Sequence, residues 1–558
     1  MHQSILIVIK WSTLAANMLR TQIKNGIIYG DQNFCMPPHL NFGAFILQKI
    51  LAHDSDKAAL INGSTGEEIN YKEMAQKIVN VATSLVNLGI KRGDTVAIFS
   101  ENRIEYILTA IAVYCSGATV TFFNSAYTKD DLINAMTISK ATCIFLSSET
   151  FIKHEYIKTT KTITKCILYD DVSNHANCLY FKNLAENYTD IKTYKPYDFK
   201  GTTQTSTILY SSGTTGLAKG AKISHQNLIT VCQQPMMTTS KLTPLTIAPW
   251  SSTFGLVSTL REISYGRTLV FLQKYNEKQY LRTIEKYKIG MLYVAPPLIV
   301  MLYKSMIANE YNLCTIEIIY SGGALVHAKS IRKLKDRFPH IKHVLQGYGM
   351  TEASGAVTEE LEDAPKEGSV GRVVPGIIAK IVNPETNEIL GCNEPGEVCI
   401  KGPVLFEGYI GRDMKNEFDN DGFYKTGDIA YYDEDGYFYI VDRIKEIIKY
   451  KAWQVSPTEL EAVILQHPAV KDVGVTGAPD TLAGQLPTAF VVKQPNANVT
   501  EQEIIDFVSD KVSPWKKLRG GVIFLKEIPK TASGKILRRK LQTLLPKQSP
   551  QKLPASKL

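Results

Sequence analysis

The chain has 558 residues, 44% hydrophobic and 21% charged, the balance of a globular protein of about three or four domain-sized units, and no apolar run nears the ~20 residues of a membrane span. Its net charge of +9 gathers at one end, where residues 515–558 hold twelve Lys/Arg against the single acid Glu527; without an RNA- or DNA-binding signature this implies no nucleic-acid partner. Nine dispersed cysteines with no C-x-x-C pair exclude a disulfide framework or zinc site and point to a reduced compartment.

Residues 1–25 read as an N-terminal extension whose short apolar run, 4–9, ends at Lys10 and makes a poor signal peptide. The first buried strand is expected at 95–99, followed by a helix in which Ile104, Ile107, Leu108, Ile111 and Cys115 share one face. A strand at 119–122, a helix around 130–137 and a strand at 142–146 continue the alternation. The same rhythm returns at 269–272, 279–287, 291–294 and 316–320. The expected fold is α/β, with a large N-terminal domain (26–442) of two layered α/β subdomains and a β-rich subdomain from about Gly368. A small α+β C-terminal domain (443–545) is hinged to it, and a tail (546–558) follows.

Several local signals support this division. Asp421-Gly422 and Asp435-Gly436 are hairpin pairs between strand-like runs. Ser456, Pro457 and Glu459 predict a capping box with proline at the first helical position, and Thr500 with Glu503 predicts a second. Strands are expected at 470–475, 489–492 and 522–525. The apolar stretch 292–303 reads either as core or as a long wall for an acyl chain.

The string TSTILYSSGTTGLAKGAKISHQNL at 205–228 is suited to hold phosphates. A β-rich run feeds a loop carrying Ser211, Ser212, Gly213, Thr214, Thr215, Gly216, Lys219 and Gly220. Glycines let backbone N–H groups approach oxygens, hydroxyls add donors, and Lys219 adds a point charge. The Walker spacing is absent. The whole string resembles the AMP-binding signature of the adenylate-forming enzymes, which include acyl-CoA synthetases, coumarate-CoA ligases and beetle luciferases. Further motifs in the family's order extend the resemblance over about residues 26–545.

That resemblance implies roles for the remaining motifs. Gln346, Gly347, Tyr348, Gly349, Thr351 and Glu352 are similar to the adenine and metal segment, with Tyr348 stacked on adenine, Thr351 at the α-phosphate and Glu352 on Mg²⁺. Ser321 to Ala324, with Gly322 and Gly323, resembles the strand end lining the adenine and acyl pocket. Thr426, Gly427 and Asp428 resemble the ribose motif, in which one carboxylate accepts from both hydroxyls. Asp442 matches the hinge, and Arg443 lies near the ribose.

Lys535 also has a physical argument. Leu537, Leu541, Leu544 and Leu545 make an amphipathic stripe, so a helix is expected just after Ser533, Gly534 and Lys535, with the lysine and helix amides aimed at one anion. The motif resembles the family's lysine that bridges carboxylate and α-phosphate during acyl-adenylate formation. Lys449, Lys451, Ala452 and Gln454 resemble the segment that turns in for thioester formation with coenzyme A, where Ala452 replaces the usual glycine. In Pro249 to Gly255, Ser252 stands where relatives place a histidine used by luciferases near the luciferyl group, with Phe254 beside it in the acyl pocket.

The resemblance implies an ATP-, Mg²⁺- and CoA-dependent ligase for a small carboxylic acid, fatty or aromatic, with fatty acids preferred on the strength of 292–303. A luciferase-type monooxygenase and a catalytically dead binding protein of the same fold are the alternatives, and intact Lys535, Glu352 and Asp428 speak against the latter. No carrier domain follows, unlike a peptide-synthetase module. Ser556, Lys557 and Leu558 form the tripeptide read by the peroxisomal import receptor, so a peroxisomal location is expected.

Overall fold

Strand and helix alternate from residue 95 in the computed structural model, which describes residues 21–32, 41–159, 162–170, 178–199, 204–211, 218–326, 328–451, 453–480, 482–530 and 534–546. A seven-stranded sheet runs in the order Lys219–Ser224, Thr205–Ser211, Thr119–Phe123, Thr95–Phe99, Cys143–Leu146, Lys165–Leu168 and Leu179–Tyr180. All its pairings are parallel except the first. Val96 to Phe99 are buried without alternation, as a strand covered on both faces must be. Helix Ile104–Ser116 is buried along most of its length and stops at Gly117, whose φ of 78° favours glycine.

A nine-stranded sheet repeats the plan. Ala58–Asn62, Leu269–Phe271, Pro244–Thr246, Met291–Val294, Ile318–Ser321 and His343–Met350 are parallel neighbours, flanked by antiparallel Gly355–Glu359 and Arg372–Val373 on one side and Glu68–Asn70 on the other. Ser321 pairs with Gln346, so the segments that follow each leave the sheet at the same edge. The carboxyl ends of parallel strands are where open α/β sheets bind ligands.

The β-rich region forms a third sheet with strands Ile378–Val382, Gly396–Lys401, Tyr424–Tyr432 and Phe438–Arg443, extended by Gln22–Lys24 and Ile27–Tyr29. Both expected hairpin glycines lie in the left-handed region, Gly422 at φ 78° and Gly436 at φ 79°. The stretch 292–303 is core: Leu292, Leu298, Ile299 and Leu302 pack with Tyr280, Leu281 and Ile284 of helix Glu277–Lys286. Tyr293, in the same stretch, packs instead with Phe254 and Tyr320.

The chain divides into two compact units, one running to Thr426 and including Tyr431–Ile440, the other made of Gly427–Ala430 and the residues from Val441 onward. The smaller unit carries the sheet Trp453–Val455, Ile448–Tyr450, Gly484–Lys493 and Val470–Asp480, with Val522–Phe524 parallel to Gly484–Lys493. Its long hairpin extends beyond the apolar runs 470–475 and 489–492, because the polar end pairs by backbone alone as far as Asp480 with Gly484.

Two local expectations need correction. Ser456 caps helix Pro457–Ile464 by accepting from the Glu459 N–H at 3.2 Å, but the Glu459 carboxylate pairs with Lys516 at 2.6 Å, so the box is half made. The Thr500 and Glu503 box is complete. The last helix is only Arg538–Thr543, starting three residues beyond Lys535, so that lysine does not stand at a helix N-terminus and the macrodipole argument does not apply to it. No helix among the described residues is long and apolar enough to cross a membrane.

Candidate active site

Ser211 and Lys219 face each other across an antiparallel ladder, at the two ends of segment 212–217. Ser212, Gly213, Thr214, Thr215 and Gly216 lie outside the described residues. Segment 407–410 clips onto the second strand: Lys222 N donates to Gly408 O at 3.0 Å, Glu407 N to Lys222 O at 2.8 Å and Ile410 N to Gly220 O at 2.9 Å. Tyr409 is thereby held with its ring 4.8 Å from Lys219 Nζ, and its phenol donates to Glu352 Oε1 at 2.5 Å. Burial and the Glu352 carboxylate push that phenol far above its ordinary pKa, so it stays a proton donor. Sequence reading missed Tyr409, because nothing in its periodicity marks it and only the strand pairing brings it to Lys219.

Glu352 is 5% exposed and sits in the single turn Thr351–Ala353, which ends at Ser354 with φ 55°. Thr253 Oγ1 donates to Thr351 Oγ1 at 2.9 Å, a second partner that sequence reading missed. Among the described residues no three His, Cys, Asp or Glu cluster as a metal cage. Among the described residues Tyr409 is the side-chain donor to Glu352, and a single carboxylate is a fit for Mg²⁺, which keeps waters and takes its other ligands from phosphates.

Gly347 and Gly349 both lie in strand His343–Met350, and each has a packing cause. A Cβ on Gly347 would meet the Tyr320 phenol oxygen at 2.0 Å, and one on Gly349 the Gly355 carbonyl at 2.4 Å. Tyr348 is buried. Gln346 differs from its neighbours: its carbonyl accepts from Val326 N at 2.8 Å and its amide donates to Ser369 O at 3.2 Å, so its side chain braces the fold.

Ser252 caps helix Thr253–Ser264, accepting from Gly255 N at 3.2 Å and donating to Pro249 O at 2.7 Å. A serine here is what the helix start asks for. Phe254 lies against Gly322, where a Cβ would approach its ring to 3.0 Å, while Gly323, at φ 87°, and Ala324 are exposed. The large unit thus brings the Ser211–Lys219 ladder together with Glu352 through Tyr409, and Phe254 together with Gly322.

In the smaller unit Asp428, 3% exposed, pairs with Arg443 Nε at 2.9 Å. Asp442 accepts from Arg443 N at 2.8 Å, Ser456 Oγ at 2.5 Å and Thr458 N at 3.3 Å, which fastens the expected hinge residue to the start of the Pro457–Ile464 helix. Lys449 is exposed on strand Ile448–Tyr450, its N–H on Gln485 Oε1 at 2.8 Å. Lys451 takes the turn with φ 52°. Ala452 and the side chain of Gln454 lie outside the described residues. Trp453, 50% exposed, stacks on Trp515 at 4.3 Å.

Lys535 follows Gly534, at φ 82°, in a segment returned by the bridge of Ile536 to Lys530 and by Leu537 N donating to Pro529 O at 2.8 Å. Three residues on, the partly buried Arg538 pairs with Glu446 at 2.7 Å, with Glu461, and with Val475 O at 3.0 Å. Ser533, Ser556, Lys557 and Leu558 are outside the described residues.

Comparison with known proteins agrees with this geometry. A family model described as AMP-binding enzyme matches residues 47–410, and one described as AMP-binding enzyme C-terminal domain matches 459–535. Luciferin 4-monooxygenase of Photuris pensylvanica is 37% identical over 88% of this chain and 92% of its own length. 4-Coumarate–CoA ligase-like 3 of Arabidopsis thaliana is 34% identical over 93% and 95%. Among solved structures, ATP-bound MatB from Rhodopseudomonas palustris superposes with TM-score 0.80 at 26% identity, covering 90% of this chain and 99% of that one. The chain belongs to the adenylate-forming, AMP-binding enzyme superfamily.

Proposed function

We propose that the protein is an ATP-dependent acid–thiol ligase: it converts a carboxylic acid to an acyl-adenylate with release of pyrophosphate, then passes the acyl group to coenzyme A with release of AMP. The observation that carries this is the link from Lys219 through Tyr409 to Glu352, a cation, a neutral donor and a buried carboxylate at the mouth of the Ser-Thr-Gly segment. Lys219 and the hydroxyls of that segment bind phosphates, and Thr351, steadied by Thr253, donates to the α-phosphate. Glu352 would hold Mg²⁺, which when bound offsets the charge of the phosphate oxygens. Tyr409 donates to one oxygen of Glu352 and so orients the carboxylate that would hold the metal. Asp428 accepts from the ribose hydroxyls, and Lys535 stabilises the charge shared by the incoming carboxylate and the α-phosphate. Lys449 and its hairpin present the face for thioester formation with coenzyme A.

A second reading, luciferin monooxygenase, has the 37% identity to the Photuris enzyme in its favour. Against it stands Ser252, whose hydroxyl is committed to a helix start and supplies no imidazole for proton handling during oxidation. Incubation with ATP, Mg²⁺ and a panel of acids, with and without CoA, separates the two. Acyl-CoA and AMP are expected; strong light with luciferin and no CoA-dependent AMP from any acid overturns the ligase reading. Peroxisomal import through Ser556, Lys557 and Leu558 is the proposed destination, tested by whether a fluorescent protein carrying this C-terminus reaches peroxisomes and loses them when the tripeptide is deleted.

A further inference from the structure

Gly322, one residue past strand Ile318–Ser321, and Gly347, within strand His343–Met350, both lie against aromatic side chains. Phe254 lies over Gly322, and the Tyr320 phenol fills the space that a side chain at Gly347 would need. Phe254 stacks on Tyr320 at 6.1 Å and 26°, and Tyr293 meets the two rings edge-on at 6.2 and 5.8 Å. Behind the rings lie buried charges already committed to partners. Tyr320 donates to Glu359 Oε1 at 3.2 Å, and Arg261 pairs with the same oxygen at 2.7 Å. Tyr293 donates at 2.5 Å to Glu262, whose carboxyl burial holds above its ordinary pKa.

We infer that this wall ends the acyl pocket, that Tyr320 sets the limit, and that the substrate is a compact, ring-sized carboxylic acid and not a long-chain fatty acid. The inference rests on the ligase reading above. A methylene chain running past Gly322 and Gly347 would have to displace two aromatic rings and then separate Arg261 from Glu359, leaving buried charge unpaired. A flat acid meets what the site offers: backbone faces without side chains on two adjacent strands, and aromatic rings at the end for offset or edge contact. Of the apolar stretch 292–303, Leu292, Leu298, Ile299 and Leu302 are spent in the core, and Tyr293 belongs to this wall.

The test measures pyrophosphate exchange and CoA-dependent AMP release with benzoate, cinnamate and palmitate, for the wild type and for Tyr320→Ala, Phe254→Ala and Tyr320→Phe. The wild type is expected to favour a ring acid over palmitate by at least about 100-fold in kcat/KM, the scale at which packed pockets discriminate. Either alanine variant should raise palmitate use by about tenfold or more, as expected when a wall is removed. Tyr320→Phe, which keeps the ring, should leave the ranking unchanged. Phe254 is only half-buried, so its truncation carries the test if Tyr320→Ala does not fold. Equal wild-type use of palmitate, or palmitate use unchanged in folded alanine variants, overturns the inference. Exchange with ring acids but no thioester supports the pocket while sinking the ligase reading. No exchange with any acid overturns both.

Discussion

In the large unit Glu352 is held by a neutral phenol and Lys219 stands against an aromatic ring; in the small unit Asp428 is held by a guanidinium and the Lys535 segment by the partly buried Arg538. The first arrangement is fixed by strand pairing and packing, the second by ion pairs. A unit of roughly a hundred residues buries less apolar surface per residue, and charge pairs then carry more of the positioning. Such pairs are unforgiving, because removing one partner strands the other.

The largest expected effect tests that dependence. Arg538→Met leaves Glu461 buried without its cation and should destabilise the small unit by about 3–5 kcal/mol, read as faster hydrogen exchange in strand Val470–Asp480. Adding Glu461→Gln should restore much of the loss; an unchanged exchange pattern in the single variant would show that the unit does not lean on this pair.

Lys535→Ala should slow acyl-adenylate formation by roughly 10²–10³, as for loss of one preorganised charge, and spare thiolysis of a supplied acyl-adenylate. Lys449→Ala should do the reverse. Equal loss of both half-reactions in either variant contradicts the assignment of two faces.

The large unit has its own pH limit. His225 is buried, its Nδ1 accepts from Phe42 N at 3.1 Å, and burial pushes its imidazole down to about 3. The unfolded chain, near the ordinary 6.5, binds that proton first, so the contribution is full above about pH 6.5 and falls as pH drops toward 3, by up to ~1.4 kcal/mol per unit. His225→Asn should flatten the urea-measured stability between pH 6.5 and 5 by about this slope.

Smaller effects fall on the two partners that tune the site. Tyr409→Phe should raise the Mg²⁺ concentration needed for half-maximal adenylation by about tenfold, the worth of one hydrogen bond to a charged group, and should cost about 1–3 kcal/mol of stability for the buried carboxylate oxygen it leaves unpaired. Ser252→His removes a helix cap and should cost about 1 kcal/mol. Any gain of light with luciferin in that variant would tie the absent imidazole to the absent oxidation.

Much of the fold was legible because its signals are local. Strand Met291–Val294 was bounded by its apolar run, and the hairpin glycines and the Thr500 box announced themselves by type and spacing. What escaped depends on distant partners. Ile27–Tyr29 pairs with its neighbour Gln22–Lys24, but it joins a sheet through the distant Ile378–Val382. Glu459 had a cap to make and was taken by Lys516, 57 positions away in sequence. The leucine stripe after Lys535 is real, yet only Leu541 is buried, so the helix is too short to aim its dipole at the lysine. Within the site the residue types were readable, whereas the Tyr409 clip and the charged backing of the aromatic wall were not.

The stacked indoles of Trp453 and Trp515 give the thiolation hairpin an optical signature of its own. Of the four tryptophans in the chain, Trp250 is fully buried beside Tyr106 and Phe271 in the large unit. The near-parallel pair in the small unit, 4.3 Å apart with one ring half open to water, couples as an exciton and is accessible to collisional quenchers. A ligand that covers the hairpin bearing Lys449 and Lys451 therefore alters the ellipticity of that pair and shields it from quenching, while the emission of Trp250 holds constant as an internal reference.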